Sequence, residues 1–298
     1  MGSSLVSLWV LVSLTFVLAR LAPGGPFDTE KMLPYEVQKN INVRYGLDLP
    51  LTSQYFRFLG QTAHLDFGTS FQYLEKPVAE IIQESVPTSL TLGIASLLFA
   101  IPLGIWFGVI AGTTRYPWLA RALELQSMAG VSLPSFLIGG YLVWVFSVKL
   151  NLFPPALAEE GLLSWVLPIL TLAIRPMALI QRLTRATLTN ILKTDFIRTA
   201  HAKGLALNVI YFRHALKNCA VPLLAVLGPL ASQILVGSFV VETLFQLGGI
   251  GRQFVSSVLN RDYPVLIAVT LYFGIIIQIC HFLADFFSGF FDPRFEVN

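Results

Sequence analysis

The sequence is poor in charged residues. Of its 298 residues, 12% are charged and 55% are hydrophobic, and the mean hydropathy is +0.69. A soluble domain carries roughly 25% charged residues, so this composition excludes an ordinary soluble protein and indicates an integral membrane protein. The charges are confined to the gaps between long uncharged runs. Their distribution is therefore more informative than the formal net charge of +3.

The sequence also lacks the motifs of nucleotide, metal and covalent chemistry. It has no GxxxxGK[ST] phosphate loop, and residues 248–251 lack the GxGxxG spacing of a dinucleotide site. The four histidines and two cysteines have no metal-ligand spacing, and a disulfide framework is disfavoured. We therefore expect no catalytic residue, no metal, no cofactor and no nucleic-acid partner. The chain is expected not to be an enzyme and not to carry its own energy source.

Six long apolar runs predict six membrane-spanning helices, since a spanning helix needs about 20 predominantly apolar residues. The runs cover residues 1–19, 85–114, 125–148, 161–181, 218–241 and 263–284. Arg175-Pro176 interrupts the fourth run. The first run is expected to be a retained anchor, because no basic region precedes it and a good cleavage site is missing at its end. The sequence thus predicts an all-α polytopic membrane protein.

Basic residues in the loops predict the orientation of these helices. Residues 175–217 contain eight Lys or Arg and one acid, and two further arginines lie between the second and third spans. Residues 23–84 instead contain eight acids and five bases. The sequence therefore predicts that the loops after the second and fourth spans face the cytoplasm, together with both chain ends.

The predicted organisation has three parts. Residues 1–22 form the first membrane helix, 23–84 an extracytoplasmic insert, and 85–298 a core with the remaining spans. Within the insert, helices are expected to begin at Pro34, to cover the aromatic residues of 55–59, and to lead from 77–82 into the second span.

A polar and basic segment, Thr194–Pro222, lies between two apolar runs in the C-terminal half. Asp195 can cap a helix there, and Gly204 is expected to end that helix. Its apolar residues on one face are Phe196, Ile197 and Ala200. Asn208 can open a second short helix over residues 209–217. The result is a helix–turn–helix elbow with an apolar stripe and a cationic rim, which predicts docking in a groove of a soluble partner.

Short motifs follow one another in order over nearly the whole chain. They are LAPG at 21–24, YGLDLP at 45–50, DFGTS at 66–70, FIRTAHAKGL at 196–205, RHALKN at 213–218, VETLF at 241–245, GGIG at 248–251, RDYP at 261–264 and DPR at 292–294. Together they resemble the permeases of ABC importers, in particular the oligopeptide, dipeptide and nickel branch and the first permease of an oligopeptide system. The general family signature begins with Glu-Ala-Ala. Here those places read Arg198-Thr199-Ala200, which removes the acidic contact expected of other branches.

The resemblance implies a permease subunit of an ATP-driven oligopeptide importer in the bacterial cytoplasmic (inner) membrane, forming half of the translocation pathway. Its partners would be a second permease, two cytoplasmic ATPases, an extracytoplasmic peptide-binding protein, the bilayer and the peptide substrate. Residues 182–217 would form the coupling loop. The residues expected to contact the ATPase are Asp195, Phe196, Arg198, Thr199, Ala200, Lys203, Gly204, Leu205, Arg213 and His214.

Polar residues inside the spans are candidates for the translocation path, because lipid-facing polar groups are costly. These are Ser232, Gln233 and Gln278. Hydrogen bonding between helices is the alternative role for them. For the whole chain, transport of dipeptides or nickel in the same branch stays open. A self-contained secondary transporter is disfavoured, because the sequence shows no inverted repeat and no intramembrane acidic pair.

Overall fold

The computed structural model describes residues 2–21, 48–73, 76–155 and 161–291. Within these residues the chain is almost entirely helical and forms no β-strand, apart from one isolated bridge between Thr69 and Pro77. The predicted all-α class is confirmed. The helix predicted to begin at Pro34 lies outside the described residues.

The helices are labelled here in chain order. They are α1 (Gly2–Leu21), α2 (Leu51–Ala63), α3 (Val78–Thr113), α4 (Pro117–Ser132), α5 (Ser135–Leu142, continued by a π-helical segment Val143–Lys149), α6 (Val166–Ile191, preceded by a 3₁₀ turn Leu162–Trp165), α7 (Asp195–Ala202), α8 (Leu207–Val209, a π-helical segment Ile210–Ala215, and Leu216–Leu235), α9 (Phe239–Leu244), α10 (Ile250–Leu259) and α11 (Tyr263–Phe291).

The described residues contain five helical segments that are long and apolar enough to cross a membrane. They are Ser4–Leu21, Val78–Thr113, Leu162–Ile191, Leu207–Leu244 and Tyr263–Gly289. A sixth candidate is the pair α4 and α5, which passes the same test together but is bent by 111°. About six spans were predicted, and the structure agrees with five or six.

The bend in the sixth candidate lies at Leu133-Pro134. Leu133 has a ψ of 132°, outside the helical region, as the proline after it favours. Pro134 lacks a backbone N–H, so it can begin α5 but cannot continue α4. The sequence alone predicted one span over residues 125–148, whereas the structure divides this run into two helices that meet at a sharp bend.

Helices α3 and α6 extend well beyond the apolar runs that predicted them. Helix α3 begins at Val78 rather than near Ser85, so the predicted segment 77–82 joins the span directly. Helix α6 passes through Arg175-Pro176 and ends at Ile191, well beyond residue 181. Apolar runs report membrane crossing, whereas a helix can continue into polar sequence when one face stays packed.

The chain divides into two compact units. The first comprises Met1–Thr88 and Gly248–Ile275, and the second comprises Ser89–Leu247 and Ile276–Asn298. The core of the first unit is built by the start of α3, by α10 and by the start of α11. Its buried members are Val78, Ile81, Ile250, Val265, Ala268 and Val269.

Helices α1 and α2 pack together within the first unit. The Ser13 hydroxyl and the Tyr55 hydroxyl lie 2.7 Å apart and share a hydrogen bond. The rings of Phe16 and Phe58 stack with 5.1 Å between their centroids. The predicted aromatic helix at 55–59 is thus confirmed as part of α2, and its rings hold it against α1.

Helix α6 is the central element of the second unit and packs against α4, α5, α8 and α9. It also packs closely on α3, because Gly104 and Gly108 leave room for it. A Cβ atom added at Gly108 would lie 2.5 Å from the Cβ of Thr184. The buried Gln181 donates its amide to the carbonyl oxygen of Leu123 in α4 at 2.7 Å. Helix α6, which leads into the elbow, is therefore held on several sides.

Candidate functional site

The first arm of the elbow, α7, begins after Thr194. Thr194 has extended backbone angles (φ −75°, ψ 157°) and occupies the cap position, but its hydroxyl donates to the carbonyl of Ile191 at 2.6 Å. Asp195 is the first residue inside the helix, so its predicted role as the cap is wrong. Its carboxylate still lies at the positive end of the helix dipole, where Arg198 Nη1 approaches it to 3.1 Å.

The end of α7 is a glycine turn, as the sequence predicted. Gly204 has a φ of +73°, a left-handed conformation that costs glycine little. Its N–H donates to the carbonyl of His201 at 2.9 Å, and the N–H of Leu205 donates to that of Ala200 at 3.3 Å. This pair of bonds is a Schellman motif, which satisfies two carbonyls that a helix end otherwise leaves unpaired.

The second arm is longer than the sequence indicated. Asn208 was expected to open a short separate helix, but the helix begins at Leu207 and runs without interruption into the fifth span. No glycine or proline lies between Leu207 and Val221 to end it. Residues Ile210–Ala215 form a π-helical segment within this helix and do not break it. The second arm of the elbow and the fifth span therefore form one continuous helix, α8.

The inner face of the elbow is closely packed. Ile197 and Ala200 are 1% and 6% exposed. They belong to a buried cluster with residues of α3, α6 and α8, namely Val109, Ile180, Leu188, Ile210, Ala215, Cys219 and Leu223. Phe196 was expected on the same face but is exposed. Successive residues are about 100° apart around a helix. Phe196 therefore lies at the edge of the buried face, whose centre is Ile197.

The outer face combines apolar and cationic side chains. Its exposed apolar residues are Phe196, Leu205, Leu207, Val209 and Phe212. Its exposed polar and basic residues are Asp195, Arg198, Thr199, His201, Lys203 and Arg213, whereas His214 is half-buried. The residues predicted to contact a partner thus lie together on one elbow. Ala200 is the exception, because it faces inward and packs in the buried cluster that holds α7.

This outer face presents charged and apolar side chains that are accessible together. The Arg198–Asp195 ion pair is almost fully exposed, so it adds little stability and leaves both groups accessible. Exposed apolar residues beside cations suit a groove with apolar walls and an acidic rim. Sequence reasoning missed Leu207, Val209 and Phe212. The helical spacing of Leu205, Val209 and Phe212 is the signal that could have revealed them.

The predicted path residues lie in α8 and α11. Ser232 is buried, and its hydroxyl donates to the carbonyl of Pro229 in its own helix at 2.8 Å. Gln233 is exposed and Gln278 is half-buried. Their role in a translocation path stays a prediction.

A buried carboxylate occupies the VETLF motif. Glu242 in α9 is 0% exposed, and its Oε1 accepts from the Ser89 hydroxyl of α3 at 2.7 Å and from the Ser238 N–H at 3.2 Å. Burial of a charged group is costly unless it is hydrogen-bonded. The glutamate therefore fixes the short helix α9 against α3.

Comparison with known proteins gives a consistent result. Residues 100–297 match the family described as "Binding-protein-dependent transport system inner membrane component". The dipeptide transport system permease protein DppB of Bacillus subtilis (strain 168) is 39% identical over 289 residues, which cover 97% of this chain and 94% of that protein. The oligopeptide transport system permease protein OppB of Salmonella typhimurium (strain LT2) is 39% identical over 292 residues, with 97% and 94% covered. DppB of Lactococcus lactis subsp. cremoris (strain MG1363) is 35% identical over 295 residues, with 99% and 96% covered.

The family match covers most of the chain, and these relatives align with it over nearly their full lengths. The chain therefore belongs to the family of binding-protein-dependent transport system inner membrane components, as the resemblance of its motifs to ABC importer permeases predicted.

Proposed function

We propose that this chain is the membrane-spanning permease subunit of an ATP-driven peptide importer and that its elbow, within Thr194–Pro222, docks on a cytoplasmic ATPase. The observation that carries the proposal is the two-sided elbow: a packed inner face and an apolar, cationic outer face. The relatives named as dipeptide and oligopeptide permeases support the peptide substrate. The sequence has no phosphate loop of its own, so the energy must come from a partner.

The elbow is built to transmit movement. Its first arm is packed in one buried cluster with α6 and α8, and its second arm is continuous with α8. A close-packed cluster resists deformation, and a helix does not stretch along its axis. When an ATPase closes on ATP and turns the elbow, the two spans attached to it move with it. That motion alternates access to the translocation path.

The orientation follows from charge. The elbow lies within residues 175–217, which contain eight Lys or Arg and one acid. The positive-inside rule favours a cytoplasmic position for such a loop. On this reading the segment 23–84, rich in acids, is extracytoplasmic and faces a peptide-binding protein, and a second permease completes the path.

The proposed substrates are oligopeptides, with dipeptides as the alternative. The motifs resemble the first permease of an oligopeptide system, while a dipeptide and an oligopeptide permease are both 39% identical to this chain. The test is competition for uptake by the assembled transporter, using di-, tri-, tetra- and pentapeptides of the same composition. Competition that increases from di- to pentapeptides supports oligopeptides, and competition by dipeptides alone rejects them.

The docking claim is tested by recovery of the ATPase with the membrane complex. Phe196→Asp and Phe212→Asp place a charge in the outer apolar face, so each is expected to reduce ATPase recovery at least about tenfold, since a central apolar anchor contributes more than about 1.4 kcal/mol. Tyr73→Asp is the matched control, because Tyr73 is also an exposed aromatic residue but lies in the first unit, outside the elbow. Unchanged recovery in both elbow variants rejects ATPase docking. Ion-coupled peptide uptake by the purified chain alone rejects the ATP-driven importer in favour of a secondary transporter.

A further inference from the structure

A cavity of about 270 Å³ lies within the first unit. Its walls come from the last turns of α1, from α2, from the loop 66–71 and from the start of α11. The proposed transport cycle assigns no role to it. It is smaller than the roughly 300–1,000 Å³ of pockets for drug-sized ligands, so it suits a head group or one end of a larger molecule.

The walls of this cavity carry an excess of positive charge. Of the described residues, Arg20 and Arg57 line it together with one acid, Asp66. In the described part of the chain, neither guanidinium forms an ion pair. The Asp66 carboxylate instead accepts the N–H of Gly68 at 3.0 Å. An anion inside the cavity would therefore meet two cations without a competing ion pair.

The Arg20 guanidinium is held in place by aromatic rings. Its central carbon lies 5.5 Å from the ring centroid of Phe16 and 5.4 Å from that of Tyr263. Cation–π contacts of this kind fix a guanidinium without neutralising it. Arg20 is thus positioned beside the cavity with its positive charge uncompensated among the described residues.

Thr62 contributes a hydroxyl group to the wall of the cavity. Its hydroxyl oxygen is buried and has no hydrogen-bond partner among the described residues, and Thr62 lines the cavity. Buried polar atoms are almost always hydrogen-bonded. An oxygen-rich group in the cavity would accept this hydroxyl and the guanidinium N–H groups together.

The cavity lies at the end of a candidate membrane span, and part of its wall is apolar. Arg20 is in the last turn of the apolar segment Ser4–Leu21, and Phe58 and Ile267 line the cavity. Basic side chains near the end of a spanning helix reach the level of the lipid head groups. A free inorganic anion would leave this apolar wall uncovered, whereas a phospholipid presents a phosphate and an acyl chain together.

We propose that this cavity binds the head group of an anionic phospholipid, with its phosphate on Arg20 and Arg57, its oxygen accepting the Thr62 hydroxyl, and its acyl chain against Phe58 and Ile267. The site is separate from the elbow and does not depend on the proposed transport function. Because the two guanidiniums supply charge-assisted hydrogen bonds, they favour an anionic lipid over a zwitterionic one.

The test uses the full-length chain, purified in detergent and freed of lipid, with its unfolding midpoint followed on titration with phosphatidylglycerol. Phosphatidylcholine and inorganic phosphate are titrated in parallel. Arg57→Gln is expected to weaken the apparent affinity for phosphatidylglycerol about tenfold or more, and Thr62→Val to weaken it less. Arg121→Gln is the matched control, since Arg121 is an exposed arginine of the second unit.

The site is supported when stabilisation by phosphatidylglycerol needs about tenfold more lipid in Arg57→Gln, a smaller increase in Thr62→Val, and no increase in Arg121→Gln. Equal stabilisation by phosphatidylcholine, or equal binding by Arg57→Gln and the unchanged chain, overturns the anionic-lipid assignment. Saturation by inorganic phosphate alone, with the same sensitivity to Arg57→Gln, identifies a free-anion site and likewise overturns the lipid.

Discussion

The hydroxyl of Ser70 donates a hydrogen bond to the carboxylate of Asp262, which lies 192 residues further along the chain. The same carboxylate accepts the N–H of Phe71 at 3.1 Å and that of Gln72 at 3.4 Å. Asp262 is 1% exposed. The DFGTS and RDYP motifs are thus one structural unit, a loop held by a buried acid.

Replacement of this acid is the first prediction. Asp262→Ala removes the acceptor of three donors and leaves the Ser70 hydroxyl buried, so it should destabilise the chain by about 3 kcal/mol. Asn260→Ala is the control, because Asn260 makes its hydrogen bonds at an exposed site where water replaces them. The measurement is the unfolding midpoint in detergent. Equal midpoints for the two variants would show that the acid does not hold the loop.

The carboxylate of Glu242 leads to a second prediction. Glu242→Leu leaves the Ser89 hydroxyl and the Ser238 N–H without the acceptor that they share, whereas Glu242→Gln retains a side-chain oxygen. We expect a loss of about 2 kcal/mol or more for Leu and a smaller loss for Gln, measured by thermal unfolding. If Leu proves at least as stable as Gln, Glu242 is not needed to fix α9.

Close packing of α3 on α6 gives a third prediction. Gly108→Ala places a Cβ 2.5 Å from the Thr184 Cβ and 2.7 Å from the Gln181 carbonyl oxygen. The helices must separate, so a cost of about 1–3 kcal/mol is expected. Gly140→Ala is the matched control, because nothing lies within 4 Å of its added Cβ. The prediction fails when unfolding shows Gly108→Ala to be no less stable than Gly140→Ala.

The turn of the elbow gives a fourth prediction. An added side chain at Gly204 meets nothing within 4 Å, but the φ of +73° is strained for a residue with a Cβ. Gly204→Val should cost about 1–2 kcal/mol in the turn and reduce ATPase recovery with membrane insertion intact. Gly204→Asn should stay close to the unchanged chain, because Asn tolerates this conformation. Similar ATPase recovery for both variants would mean that the left-handed turn does not matter for docking.

The elbow also shows what local sequence could reveal. The glycine turn at 204 could be predicted, because a helix end in the left-handed conformation favours glycine. The cap residue could not be predicted. Thr194 occupies the cap position, but its hydroxyl donates to the carbonyl of Ile191. The continuous helix from Leu207 through the fifth span was not predicted, because the polar residues before the span were interpreted as a break in the helix. The apolar runs predicted the spans well, but they gave no information on where a helix ends in polar sequence.

Long-range pairings were beyond sequence reasoning. The DFGTS and RDYP motifs were recognised separately, but no periodicity relates Ser70 to Asp262. The same holds for Ser89 and Glu242, which are 153 residues apart. The cationic cavity was also missed, because Arg20 and Arg57 are brought together only by the packing of α1 on α2.

Site-specific photo-crosslinking in the assembled transporter tests most directly whether the outer face of the elbow contacts an ATPase. A photoreactive amino acid is placed at position 212, where Phe212 is exposed on the elbow, and in a parallel sample at position 73. If the elbow docks on the ATPase, position 212 forms an adduct with the ATP-binding subunit and position 73 forms none. Absence of the adduct at position 212, or equal adducts from both positions, would contradict docking on the ATPase.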